Sequence, residues 1–131
     1  MNENFVTMRY IVNDVQESLD FYTGHLGFAL QAQAGKAFAS VTRGATRLLL
    51  SSRTSAAAQA TPDGGVQEPG GWARIVLVVD DLTKEVERLK STNVKFRNDI
   101  QRGVGSSQIL LSDPSGNIVE LFEHTEHPHT P

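Results

Sequence analysis

The stretch Asp113-Pro114-Ser115-Gly116-Asn117-Ile118-Val119-Glu120-Leu121-Phe122 decides how the rest of this chain reads. Pro114 presets φ for a turn, Ser115 is tolerated at the next position, and Gly116 can adopt positive φ. The run that follows is β-prone and alternates. It sets Val119 and Leu121 on one face of a strand and Ile118, Glu120 and Phe122 on the other. A carboxylate between two apolar residues on a strand needs a partner. The nature of that partner separates metal chemistry from everything else.

Upstream of this strand the same order of elements occurs twice. Phe5–Val12 reads as a strand, and Asp14 with Glu17 three residues on forms a capping-box pattern. Val15, Leu19, Tyr22 and Leu26 recur at helical spacing, with Gly27 as the stop. Phe28–Gln33, Ala37–Arg43 and Thr46–Ser51 read as three strands punctuated by Gly35 and Gly44. Arg74–Val79 then repeats the first strand, and Asp81 is a second N-cap before the stripe Leu82, Val86 and Leu89. Lys95–Gln101, Ser106–Ser112 and Asn117–Glu123 complete the second set. Val12-Asn13-Asp14-Val15 matches Val79-Asp80-Asp81-Leu82 at a constant offset, as an internal duplication predicts.

Residues 1–51 thus form a first strand-helix-strand-strand-strand module and 72–124 a second. Residues 52–71 are rich in Ala, Gly, Pro, Ser and Gln, without apolar periodicity, and read as a linker or lid. Residues 125–131 read as a frayed, disordered tail.

Composition excludes several classes. The chain has 131 residues, 39% of them hydrophobic, enough for one compact domain or two small packed halves. A formal net charge of −3 offers no bulk attraction to nucleic acid. No apolar run approaches the roughly 20 residues that span a bilayer, and residues 1–20 lack a signal-peptide pattern. With no cysteine there is no disulfide, zinc-thiolate site or thiol nucleophile. The expectation is a cytoplasmic protein with neither nucleic acid nor membrane as partner.

Val12-Asn13-Asp14 leading to Ser18-Leu19-Asp20-Phe21-Tyr22 and Leu26-Gly27-Phe28 resembles the first-module signature of the vicinal oxygen chelate superfamily. Val79-Asp80-Asp81-Leu82 and Asp113-Pro114-Ser115-Gly116-Asn117 with Glu120-Leu121 resemble its second-module signature. That superfamily includes glyoxalase I, extradiol dioxygenases, fosfomycin-resistance enzymes and bleomycin-resistance proteins. The resemblance implies an α+β fold of two tandem βαβββ modules. They would form an open, cup-shaped, eight-stranded mixed sheet with helices on the outer face, usually in a homodimer. It says little about the reaction, because the fold hosts many functions.

In the superfamily's metal enzymes a His or Gln on the first strand and a Glu on the last strand supply ligands. Carried onto this chain, those positions fall on Thr7 and Arg74 for the first strands, near Leu48 in module one, and on Glu120 in module two. Only Glu120 is of a ligand type. A guanidinium stays protonated and repels a metal, so Arg74 is expected to pair with Glu120 in place of a cation. No cofactor is expected; a divalent metal would require that these positions be misaligned. A structural ion pair is the plainer explanation of the same two residues.

The rest of a site would be built around that pair. Alternation puts Phe5, Thr7, Arg9 and Ile11 on the cup face, with Val6, Met8, Tyr10 and Val12 under the helix. Arg74, Val76, Val78, Glu120 and Phe122 form the corresponding face of module two, an apolar hollow with sparse polar anchors. Thr7, Arg9, Trp72, Arg74, Glu120 and Phe122 are the candidate ligand-binding residues. For Trp72 the competing reading is an anchor at the start of a strand. Arg47 and the set Arg97, Asn98, Asp99 and Gln108 read as solvent-facing. His25, at a helix end, suits the macrodipole better than chemistry, and His124, His127 and His129 lie at or in the tail. Gly103-Val104-Gly105 precedes a strand, so it is not a phosphate loop.

Three functions compete on this reading. The first is metal-free binding of a small organic molecule, of the bleomycin-resistance type. The second is a glyoxalase-like lyase or isomerase, metal-dependent or with Glu120 as the only candidate base. The third is a non-catalytic interaction module.

Overall fold

A computed structural model describes residues 4–125; the tail from residue 126 on, with His127 and His129, lies outside the described residues. The chain divides into two compact units, residues up to Gly70 with Pro114–Asn117, and Gly71–Asp113 with the chain from Ile118.

In the first unit β1 (Val6–Val12) leads to α1 (Val15–His25), followed by β2 (Ala29–Ala34), β3 (Phe38–Arg43) and β4 (Thr46–Ser52). Asp14 caps α1 by accepting a hydrogen bond from Glu17 N at 2.8 Å, which satisfies one of the helix's orphan donors. Gly27, at φ 74°, takes the left-handed conformation that ends the helix. The sheet order is β1-β4-β3-β2, with β1 and β4 parallel and the other pairs antiparallel. A parallel pair needs a long crossover, and α1 with the two intervening strands supplies it. The helix stripe Val15, Leu19 and Tyr22 is buried together with Tyr10, Val12, Val41, Leu48 and Leu50 from the sheet. Val6 departs from the expectation that it packs under the helix: it stands 74% exposed as the first residue of β1.

The second unit repeats the plan with one difference. β5 (Ile75–Val78) and α2 (Leu82–Lys90) precede β6 (Lys95–Phe96), β7 (Gln101–Gly103), β8 (Ser106–Ser112) and β9 (Ile118–His124). The order is β5-β9-β8-β6, with β7 also paired to β8 and β5 parallel to β9. The segment expected as one strand, Lys95–Gln101, is therefore two, giving nine strands among the described residues where eight were expected. The cause is local. Leu110 N, which a continuing strand would bond through a backbone carbonyl, donates to Asn98 Oδ1 at 2.9 Å, and the ladder stops there. Asp81 caps α2 through Lys84 N at 3.0 Å. Glu123, from the helix-facing side of β9, accepts from Leu82 N at 2.7 Å and satisfies a second orphan donor of that helix.

Residues 52–71 are not featureless. They contain a short 3₁₀ turn at Ala56–Ala58 whose last alanine is buried. Arg53 Nε donates to Asn13 Oδ1 at 2.8 Å, and Gln67 Nε2 to Gln59 O at 2.8 Å. Gly70 N donates to Asn117 Oδ1 at 2.7 Å, while Asn117 Nδ2 donates to Ile11 O at 2.9 Å. Within the same unit Asn13 N donates to Ser115 Oγ at 2.8 Å. The Pro114–Asn117 turn, with Gly116 at φ 91°, thus serves as an internal clasp of the first unit.

Candidate functional site

Register sets the geometry of the second unit's sheet. Ile75, Leu77, Ile109, Leu111, Val119 and Leu121 are buried with Leu82, Val86 and Leu89 of α2. The opposite face presents Val76 beside Glu120 and Val78 beside Phe122 on β5 and β9. On β8 the matching residues are Leu110 beside Glu120 and Gln108 beside Phe122. Val76 and Val78 are exposed there, as sequence alternation predicts.

Arg74 precedes β5 on this open face. Its Nε donates to Glu120 Oε1 at 2.9 Å, and its Nη1 donates to Trp72 O at 3.1 Å. The carboxylate side chain is only 9% exposed and the guanidinium 29%. A charge-assisted bond in so little water is stronger than a surface ion pair. Trp72, 67% exposed, carries the guanidinium of Arg97 at 5.6 Å from its ring centroid, within cation–π range. Arg97 N donates to Leu110 O at 2.8 Å. Arg97, Leu110 and Glu120 therefore stand side by side on adjacent strands. Arg97, expected to face solvent from a sheet edge, is exposed, and its guanidinium lies over the indole. No sequence pattern signals that contact. Phe122 stacks edge-on with His124 at 4.9 Å between centroids.

The candidates of the first unit are held differently. Thr7 Oγ1 accepts from Arg47 Nε at 3.1 Å, and Arg9 Nη1 donates to Ser51 Oγ at 2.7 Å. Arg47, expected to be solvated, also lies over the Phe5 ring at 5.1 Å. Arg9 pairs with Leu49 across the strands, as Val76 pairs with Glu120 in the second unit. The counterpart of Glu120 is thus Leu49, and Leu48 is buried on the helix side. Thr7 and Arg9 lie in one unit; Trp72, Arg74, Glu120 and Phe122 lie in the other, where Arg74 joins Trp72 and Glu120.

The donor set does not suit a divalent cation. Of the four positions carried over from the metal enzymes, Glu120 alone offers a carboxylate, and a guanidinium is bonded to it. Among the described residues there is no group of three or more His, Cys, Asp or Glu that could hold a metal. Two cavities lie away from these residues. One of about 520 Å³ opens beneath the chain from Arg97 to Arg102 against Val86 and Lys90, and one of about 560 Å³ opens at the start of α1. No helix among the described residues is long and apolar enough to cross a membrane.

Residues 4–121 match the family described as the Glyoxalase/Bleomycin resistance protein/Dioxygenase superfamily. A lactoylglutathione lyase of Pseudomonas aeruginosa is 25% identical, over 94% of this chain and 88% of its own length. Among solved structures, TnmS3, an antibiotic binding protein from Streptomyces sp. CB03234, is similar at 25% identity and a TM-score of 0.71. That likeness covers 92% of this chain and 95% of TnmS3. The lactoylglutathione lyase from Agrobacterium tumefaciens shares the fold at a TM-score of 0.73 and 20% identity, covering 93% of this chain and 94% of its own.

Proposed function

Since the chain belongs to the Glyoxalase/Bleomycin resistance protein/Dioxygenase superfamily, we propose that it binds a small organic molecule without a metal, at the open face around Glu120. The observation that carries this reading is the 2.9 Å bond from Arg74 Nε to Glu120 Oε1. A permanent cation occupies the position from which a metal enzyme of the family would present a neutral ligand. The carboxylate is already neutralised, so a divalent ion gains less there and meets repulsion from the guanidinium. Around the pair, Trp72, Val76, Val78, Leu110 and Phe122 provide apolar surface with few polar groups, the composition typical of a small-molecule site. Binding of this kind needs burial and anchoring but no reaction, and the likeness to an antibiotic binding protein supports it. The setting of this reading is a cytoplasmic homodimer.

A lyase or isomerase reading is favoured by the relative named lactoylglutathione lyase. It ranks second because Glu120, the one candidate base, has an oxygen engaged by a cation. The test is a thermal-shift and calorimetric screen of chelator-treated protein against planar aromatic antibiotics and 2-oxoaldehyde thiol adducts, repeated with Zn²⁺, Ni²⁺ and Mn²⁺ added. Binding is expected with an affinity that metal leaves unchanged within about twofold. Stoichiometric metal lost in Glu120→Gln, together with turnover of a thiol adduct, would establish the lyase instead.

A further inference from the structure

Glu120 has two carboxylate oxygens, and among the described residues only Oε1 has a protein partner, Arg74 Nε. Oε2 belongs to a side chain 91% removed from solvent, on the face that also carries the exposed indole of Trp72. A buried acceptor left unbonded is destabilising, and more so when charged. An occupant that brings a donor recovers that energy. The guanidinium N–H groups of Arg74 not used on Glu120 or Trp72 are in a different position: the group is 29% exposed, so water already serves them and an anion gains little there. An anionic group would also be set beside the unbonded carboxylate oxygen.

The indole is close enough to act on the same molecule. One guanidinium bonds both Trp72 O and Glu120 Oε1. Arg97, whose guanidinium lies 5.6 Å from the Trp72 ring centre, stands two strands from Glu120, about 10 Å across the sheet.

We infer that the occupant is a planar aromatic molecule that donates a neutral O–H or N–H to Glu120 Oε2 and lays its ring against Trp72. This rests on the ligand-binding reading above and adds the chemical class. A hydrogen bond to a charged acceptor is worth roughly 10- to 100-fold in affinity.

The test uses three probes on one ring system with chelator-treated full-length protein: 2-naphthol, 2-methoxynaphthalene and 2-naphthoate, each titrated by calorimetry at neutral pH. The expected order puts 2-naphthol first, by about tenfold or more over the methyl ether. Glu120→Gln should shrink that advantage to below threefold with the circular dichroism unchanged. Trp72→Ala should weaken naphthol and methyl ether by a common factor. If 2-naphthoate binds tightest, or the naphthol advantage survives in Glu120→Gln, the donor class is wrong while ligand binding stands. If none of the three binds saturably, ligand binding at this face falls with it.

Discussion

Replacing Arg74 with Met keeps most of the aliphatic bulk and removes the charge that faces Glu120. The size of the effect can be set from the geometry. Breaking a fully buried ion pair is destabilising by 3–5 kcal/mol, whereas exposed pairs contribute about 0–1 kcal/mol. Glu120 is near the first limit at 9% side-chain exposure, and Arg74 lies between the two at 29%. The Met variant should therefore lose about 2 kcal/mol, or about 7 °C in melting temperature for a chain of this length. Glu120→Gln alone should lose about 1 kcal/mol, since the partly exposed guanidinium keeps water and Trp72 O. The double variant should lose no more than the Met variant alone. Circular-dichroism melts and urea titrations of the four proteins close a double-mutant cycle, with an expected coupling of at least about 1 kcal/mol. Additivity within about 0.3 kcal/mol would refute the reasoning, because it would mean that the two side chains do not sense each other.

Two further predictions concern the first unit. Asn117→Ala removes the bonds to Gly70 N and Ile11 O from a buried position, and should destabilise by about 2–3 kcal/mol. Limited proteolysis between Arg53 and Gly70 should accelerate with it, and an unchanged cleavage rate would count against the clasp. Asp63 accepts from the Thr61 hydroxyl and Gly65 N, and these bonds hold its carboxyl below the ordinary aspartate range. A lowered folded-state pKa means that the turn is supported at pH values above the unfolded aspartate pKa of about 3.9, and that this support fades as pH falls through the folded value. An NMR titration should place Asp63 below that reference and Thr61→Ala should move it up; no movement would remove the hydroxyl as the cause.

Much of the fold was legible because it is written in local rules. Asp14 and Asp81 announced the helix starts, and the stripes at Leu19 and Leu89 announced the buried faces. Glu120 and Arg74 could be paired from the sequence because the family resemblance implies that the first and last strands of a module line one cup. What escaped depends on details that no short window contains. The contact of Arg97 with Trp72 joins residues 25 apart in sequence. Leu49, rather than Leu48, faces Arg9 because register is fixed to the residue, and a slip of one position exchanges the faces. Asn117 looked like part of a turn, yet its partners are 47 and 106 residues away in sequence.

The clasp has a consequence for anyone who would treat the duplication as two transferable halves. Pro114–Asn117 counts with the first unit, though the chain on either side counts with the second. A gene truncated after Gly70 would encode every strand of the first sheet and still lack the amide that answers Ile11 O and Gly70 N. The repeat read in the sequence and the compact unit therefore do not share boundaries, and cutting this chain at that repeat would sever bonds that the first unit uses.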